Sequence, residues 1–89
     1  MAEIQLVIRN QLGLHARACA LFVKAASKFK SEILVARDDL EVNGKSIMGV
    51  MMLAAGVGSE ISIDTDGDGA QQALDAILAL IVDKFGEGE

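Results

Sequence analysis

Glu60-Ile61-Ser62-Ile63-Asp64 alternates polar and apolar residues without a break, the period of a β-strand with one face on a core and the other in water. Downstream, Gly67-Asp68-Gly69 reads as a turn, with Asp68 expected to cap a long helix. In that helix Ala70, Ala73, Leu74, Ile77 and Ile81 form an apolar stripe, Gln72, Asp75 and Asp83 occupy the polar side, and Gly86 is the expected stop. Upstream, past the glycine-bearing loop 56–59, residues 47–53 read as a short helix with Ser46 as N-cap after an Asn43-Gly44 turn. Residues 32–37 and 40–42 read as two strands joined at Asp38-Asp39, a hairpin. Ahead of them, Cys19, Phe22, Val23 and Ala26 recur at helical spacing within residues 16 to about 28. The first strand, residues 3–9, places Ile4, Leu6 and Ile8 on one face with Val7 the only apolar residue opposite. The order is βαββαβα. Half-wet strands imply an antiparallel sheet with helices on one side, an α+β fold.

The chain has 89 residues, 52% of them hydrophobic, enough for a single folded domain (residues 1–89) with one modest core. No apolar run approaches a membrane span, and the N-terminus lacks the pattern of a signal peptide, so a cytoplasmic protein is expected. Cys19 is the only cysteine, which excludes an internal disulfide and suits a reducing compartment. A net charge of -5 and only three aromatic residues, all Phe, argue against nucleic-acid binding. The charge is uneven. Residues 1–30 carry Arg9, Arg17, Lys24, Lys28 and Lys30 against Glu3 alone, whereas residues 65–89 carry six acids against Lys84.

The basic third holds the sole histidine, in Gly13-Leu14-His15-Ala16-Arg17-Ala18-Cys19, where the loop Asn10-Gln11-Leu12-Gly13 runs into the first helix. The unpaired amides of a helix's first turn and its dipole form a site for an anion, and Arg17 adds a fixed positive charge. Phosphoryl binding is the sharper reading of this stretch, and a histidine that merely caps a helix is the plainer one.

The short second helix has an unusual composition. Ile47, Met48, Val50, Met51, Met52 and Leu53 cover its whole circumference with apolar side chains. A domain of this size has one core side to offer, so part of this surface is expected to stay exposed as a soft, adaptable docking patch.

Gly13-Leu14-His15-Ala16-Arg17 together with Lys45-Ser46-Ile47-Met48-Gly49-Val50-Met51-Met52-Leu53 closely resembles the HPr family, the histidine phosphocarriers of the bacterial phosphoenolpyruvate-dependent sugar phosphotransferase system. The resemblance covers essentially the whole chain. It implies an open-faced βαββαβα sandwich, a four-stranded antiparallel sheet with three helices packed on one face. It further implies that His15 accepts a phosphoryl group on Nδ1 from enzyme I and passes it to enzyme II A components, and that Arg17 steadies it. Ser46 matches the site of an ATP-dependent regulatory kinase, and Ile47, Met48, Met51, Ala20 and Lys24 match the family's docking surface. Such a protein is a stoichiometric carrier and not an enzyme, is monomeric, and needs no cofactor or metal. Most relatives have Pro where this chain has Ala18, a position in the first helical turn where proline's missing donor costs nothing. That departure leaves open a regulatory branch, such as the nitrogen-related phosphotransferase paralogue.

Two other readings compete. His15 and Cys19 have the spacing of a metal pair, but two ligands make no zinc site. Asp64, Asp66, Asp68 and Asp75 match the spacing of a calcium loop, which makes a small calcium-binding or interaction module over residues 64–75 the alternative of another class. Against it, a strand precedes the loop where a helix is required, and Asp75 stands where a bidentate Glu is usual.

Overall fold

In the computed structural model, which describes residues 2–10, 13–53 and 56–86, the elements run β1 (Ala2–Val7), α1 (Ala16–Ala26), β2 (Glu32–Arg37), β3 (Leu40–Asn43), α2 (Ile47–Met52), β4 (Glu60–Asp66) and α3 (Ala70–Val82). The strands form one antiparallel sheet in the order β1-β4-β2-β3. The fold is the expected open-faced βαββαβα sandwich. The alternation in β4 decides its handling of water: Ile61, Ile63 and Thr65 point into the core, while Ser62 and Asp64 point away from it.

The register extends that division across the sheet. Ile63 lies between Ile4 and Val35, and Val35 in turn faces Val42, so one face is apolar from edge to edge. On the other, Gln5, Ser62, Ala36 and Glu41 form one row and Glu3, Asp64, Leu34 and Asn43 the next. Phe22, Ala26 and Cys19 of α1, Val50 of α2, and Ile77 and Ile81 of α3 close the apolar face with Ile33, Val35, Ile61 and Ile63. Burying a side chain of this size stabilises the fold by roughly 1.5–3 kcal/mol.

Several boundaries differ from the sequence reading. Strand β1 ends at Val7, but Ile8 remains buried and continues the pairing, donating to Ser59 O at 2.9 Å and accepting from Gly58 N at 2.9 Å. Helix α1 ends at Ala26, because the amides of Lys28 and Phe29 turn to carbonyls three residues back and tighten the last turn. Strand β4 runs on to Asp66, since β1 and β2 both offer it partners.

Helix α3 departs at both ends. Its N-cap is Gly69, in the left-handed region at φ 76° with no side-chain cap, so Asp68 precedes the cap and does not fill it. The buried Thr65 hydroxyl instead donates to Ala70 O at 2.8 Å and ties the strand to the helix's first turn. At the far end the helix stops at Val82, four residues before Gly86, because Lys84 and Phe85 both adopt φ 55°. The left-handed region costs a non-glycine residue about 1–2 kcal/mol. Phe85 offsets it by packing fully into the core.

Candidate functional site

The loop that delivers the histidine is held by its own polar groups. Asn10 is buried and donates from Nδ2 to Gly13 O at 2.7 Å, while Gly13 N returns a bond to Asn10 O at 3.1 Å. Gly13 has φ 65°, a conformation that a side chain would oppose. Gln11 and Leu12, part of the expected loop, lie outside the described residues. Leu14 then anchors in the core, and the chain enters α1 with His15 as its N-cap at φ -81°, ψ 177°.

His15 is half-buried, and its side chain makes no capping bond. Its carbonyl accepts the helix's first backbone bond, from Cys19 N at 2.9 Å. Helix geometry therefore leaves the amides of Ala16, Arg17 and Ala18 without an intrahelical acceptor, directed at the space beside the histidine. No acidic residue occupies the first turn to compete for that space. Ala18, where the resemblance implies proline, is fully buried within the regular first turn, so helix α1 forms without the ring.

Cys19 does not share a metal site with His15. Its side chain is buried and its thiol donates to Leu14 O at 3.3 Å. Burial also pushes the thiol's pKa up, which disfavours a thiolate. It is a core residue that pins the loop. Among the described residues no three His, Cys, Asp or Glu side chains are grouped to hold a metal ion. The calcium-loop spacing is likewise not realised: Asp64 pairs across the sheet with Glu3, and Asp75 accepts from Gln71 Nε2 at 2.9 Å along α3.

Arg17, Ala20 and Lys24 are exposed and lie three and seven positions apart, so they form one stripe on α1 that starts beside His15. Helix α2 packs alongside α1. Ser46 caps it, its hydroxyl accepting from Gly49 N at 3.2 Å. A Cβ on Gly49 would come within 3.2 Å of Val42 Cβ, so the missing side chain is what lets the helix lie close to β3.

The apolar circumference of α2 is divided by this seating. Val50 and Leu53 are buried, whereas Ile47 is 40% exposed, Met48 73%, Met51 45% and Met52 64%. The expected exposure of Ile47, Met48 and Met51 is what the structure shows, and Met52 joins them. Two residues that the sequence reading passed over hold the helix in place. Lys45 Nζ donates to Phe29 O at 2.6 Å beside its start, and Arg37 Nη1 donates to Leu53 O at 3.0 Å at its end. A cation beside a helix's last carbonyls is a recognisable capping signal, but these two lie far from their acceptors in sequence.

Residues 2–83 match the family model described as the PTS HPr component phosphorylation site. The chain belongs to the HPr family. The phosphocarrier protein HPr of Cupriavidus necator is 52% identical over 89 residues, covering all of both chains. The crystal structure of HPr-C-His from Thermoanaerobacter tengcongensis superposes with a TM-score of 0.95 at 47% identity, covering 98% of each chain. A second structure from that organism, described as an HPr dimer, matches with a TM-score of 0.79 at 47% identity over 98% of this chain and 100% of the other. This HPr-family chain is thus a phosphocarrier protein of the phosphotransferase system. None of its described helices is long and apolar enough to cross a membrane.

Proposed function

We propose that His15 is the residue that carries the phosphoryl group, accepting it from enzyme I and passing it to enzyme II A components. The observation that supports this most directly is the position of His15 as N-cap of α1, beside the first-turn amides and the positive end of the helix dipole. A neutral ring nitrogen attacks phosphorus, a P–N bond forms as the bond to enzyme I's phosphorylated group breaks, and the leaving group retains the electron pair. Attack on Nδ1 is the regiochemistry that the family resemblance implies. The first-turn amides and the Arg17 guanidinium then face the oxygens of the transferred group, where a planar donor fork suits their geometry. The reverse step to a second acceptor uses the same contacts.

On this reading the single domain of residues 1–89 is a stoichiometric carrier in the cytoplasm with no turnover of its own, and it works as a monomer. Sedimentation at working concentration tests the monomer, since a dimer is known for a related HPr. The docking face comprises Ile47, Met48 and Met51 on α2 with Ala20 and Lys24 on α1. Mass spectrometry after incubation with phosphoenolpyruvate and enzyme I tests the carrier. An acid-labile adduct on His15 is expected, and an acid-stable adduct, or one that persists in His15→Ala, overturns the assignment.

Ser46 supports a second reading, that it is the target of a regulatory serine kinase and its phosphorylase. Its hydroxyl sits at the start of α2, where a phosphate gains charge-assisted bonds, and immediately beside the exposed Ile47 and Met48. Such a modification weakens docking and spares the helix. A regulatory branch of the family, such as the nitrogen-related paralogue, would use the same His15 chemistry with different acceptors. Transfer assays against purified enzyme II A components of each branch separate the two.

A further inference from the structure

Among the described residues, the sulfur atoms are sorted by the fold in an unexpected direction. Cys19, ordinarily the more reactive type, is fully buried, donates its S–H to Leu14 O and is held in its thiol form by desolvation. The thioethers of Met48, Met51 and Met52 stand on the outer side of α2, at 73%, 45% and 64% exposure. Three methionines within six helical residues are open to water, and none of them fills the core, so this flexible apolar surface also presents three accessible thioethers. Leu or Ile would have provided an apolar surface of similar size without the sulfur.

We propose that Met48, Met51 and Met52 form a reversible oxidation site, and that peroxide acting there switches off docking while leaving the fold and Cys19 untouched. The oxidant is hydrogen peroxide or an organic hydroperoxide. A sulfur lone pair attacks the distal peroxide oxygen, an S–O bond forms and the O–O bond breaks. The thioether loses two electrons to become a sulfoxide, and the peroxide is reduced to water or an alcohol, which keeps the proton from the transferred oxygen. Reversal requires a thiol-dependent methionine sulfoxide reductase, which restores the thioether and releases the oxygen as water.

The consequence follows from where the oxygen is placed. A sulfoxide is a polar acceptor on a flexible stem, so it stays solvated on the free protein and costs the isolated fold little. When a partner covers α2, that acceptor loses its water, and an unpaired buried polar group opposes the complex. The effect on transfer rests on the docking role given to this face under Proposed function, whereas the oxidation itself rests only on exposure.

The folded full-length chain is treated with graded hydrogen peroxide and then digested for mass spectrometry. Met48 is expected to gain one oxygen first, followed by Met52 and then Met51, with Cys19 unmodified and the melting midpoint little changed. Enzyme I phosphorylation of His15 should slow roughly fivefold or more at low carrier concentration, through KM, as one desolvated polar group implies. Methionine sulfoxide reductase with a dithiol should restore the starting rate. A Met48→Leu, Met51→Leu, Met52→Leu variant should show no change on peroxide treatment relative to its own untreated rate. Oxidation of Cys19 ahead of the methionines, or rate loss only in step with unfolding, overturns the proposal. If oxidised and reduced chains are phosphorylated equally, the switch falls and the carrier assignment stands; if enzyme I phosphorylates neither, both fall.

Discussion

Helix α2 and the open face of the sheet are both one-sided, and each resolves its exposure to water in the opposite way. The sheet's outer rows present Glu3, Gln5, Glu41, Asn43, Ser62 and Asp64 around Leu34 and Ala36. The outer side of α2 presents Ile47, Met48, Met51 and Met52. A protein of this size can clothe an exposed face in polar groups, and over the sheet it does. The apolar side of α2 is left uncovered by the fold, and the docking role proposed above is what gives that exposure a use.

The largest effect expected on this contrast is at the end of α1. His15→Ala should abolish phosphorylation by enzyme I and leave the melting midpoint nearly unchanged, because the His15 side chain makes no capping bond. Radiolabel transfer from phosphoenolpyruvate and a thermal melt on the same sample check both halves. A substitution that unfolded the protein would show that the site and the scaffold are not separable.

Within α2 the division between buried and exposed residues can be tested directly. Val50→Ala removes two methyl groups from the sealed core and should cost about 2 kcal/mol, lowering the melting midpoint by roughly 8–16 °C for a domain of this size. Met48→Ser should change stability by no more than about 0.5 kcal/mol, as expected at an exposed site. Equal losses would mean that Met48 is packed in solution and that the outer face of α2 is not a free surface.

Ser46→Asp sharpens the contrast by making the apolar face resemble the acidic one. Aspartate is as good an N-cap as serine, so stability should hold or rise slightly. Affinity for enzyme I should fall by roughly tenfold, because a charge must lose water when the neighbouring Ile47 and Met48 are covered. Titration calorimetry beside a melting curve decides between lost docking and lost fold.

The smallest effects belong to the acidic face. The Glu3 carboxyl titrates above its ordinary value because it shares a hydrogen bond with Asp64 directly across the strands and is repelled by its charge. A carboxyl raised in the folded state adds stability when protonated, at pH below its unfolded value, and loses it as pH rises through the folded value. Asp64→Asn should therefore raise the melting midpoint slightly at neutral pH, and the gain should vanish in acid. An increase that is independent of pH would assign the effect to something other than this pair. Millimolar calcium should leave the midpoint unchanged, since Asp64 and Asp75 are turned to different partners.

Much of this protein was legible locally. The alternation in residues 60–64, the apolar stripes at helical spacing and the turn residues between them determined the element order and the side of each strand that faces the core. His15 at a helix start and Ser46 as N-cap followed from the residues on either side of them, and capping is a local interaction. The tertiary structure alone decided three further things. The strand order β1-β4-β2-β3 arises from pairings distant in sequence, which no window of residues encodes. The start of α3 went to Gly69 and not Asp68: Gly69 O accepts the first helical bond, from Ala73 N, after a left-handed turn, and the buried Thr65 hydroxyl ties Ala70 O to the strand. Finally, a helix apolar on every side has no hydrophobic direction of its own. Only its seating by the close approach at Gly49, with Lys45 and Arg37 holding the chain at its two ends, turned Val50 inward and left three methionines facing the water.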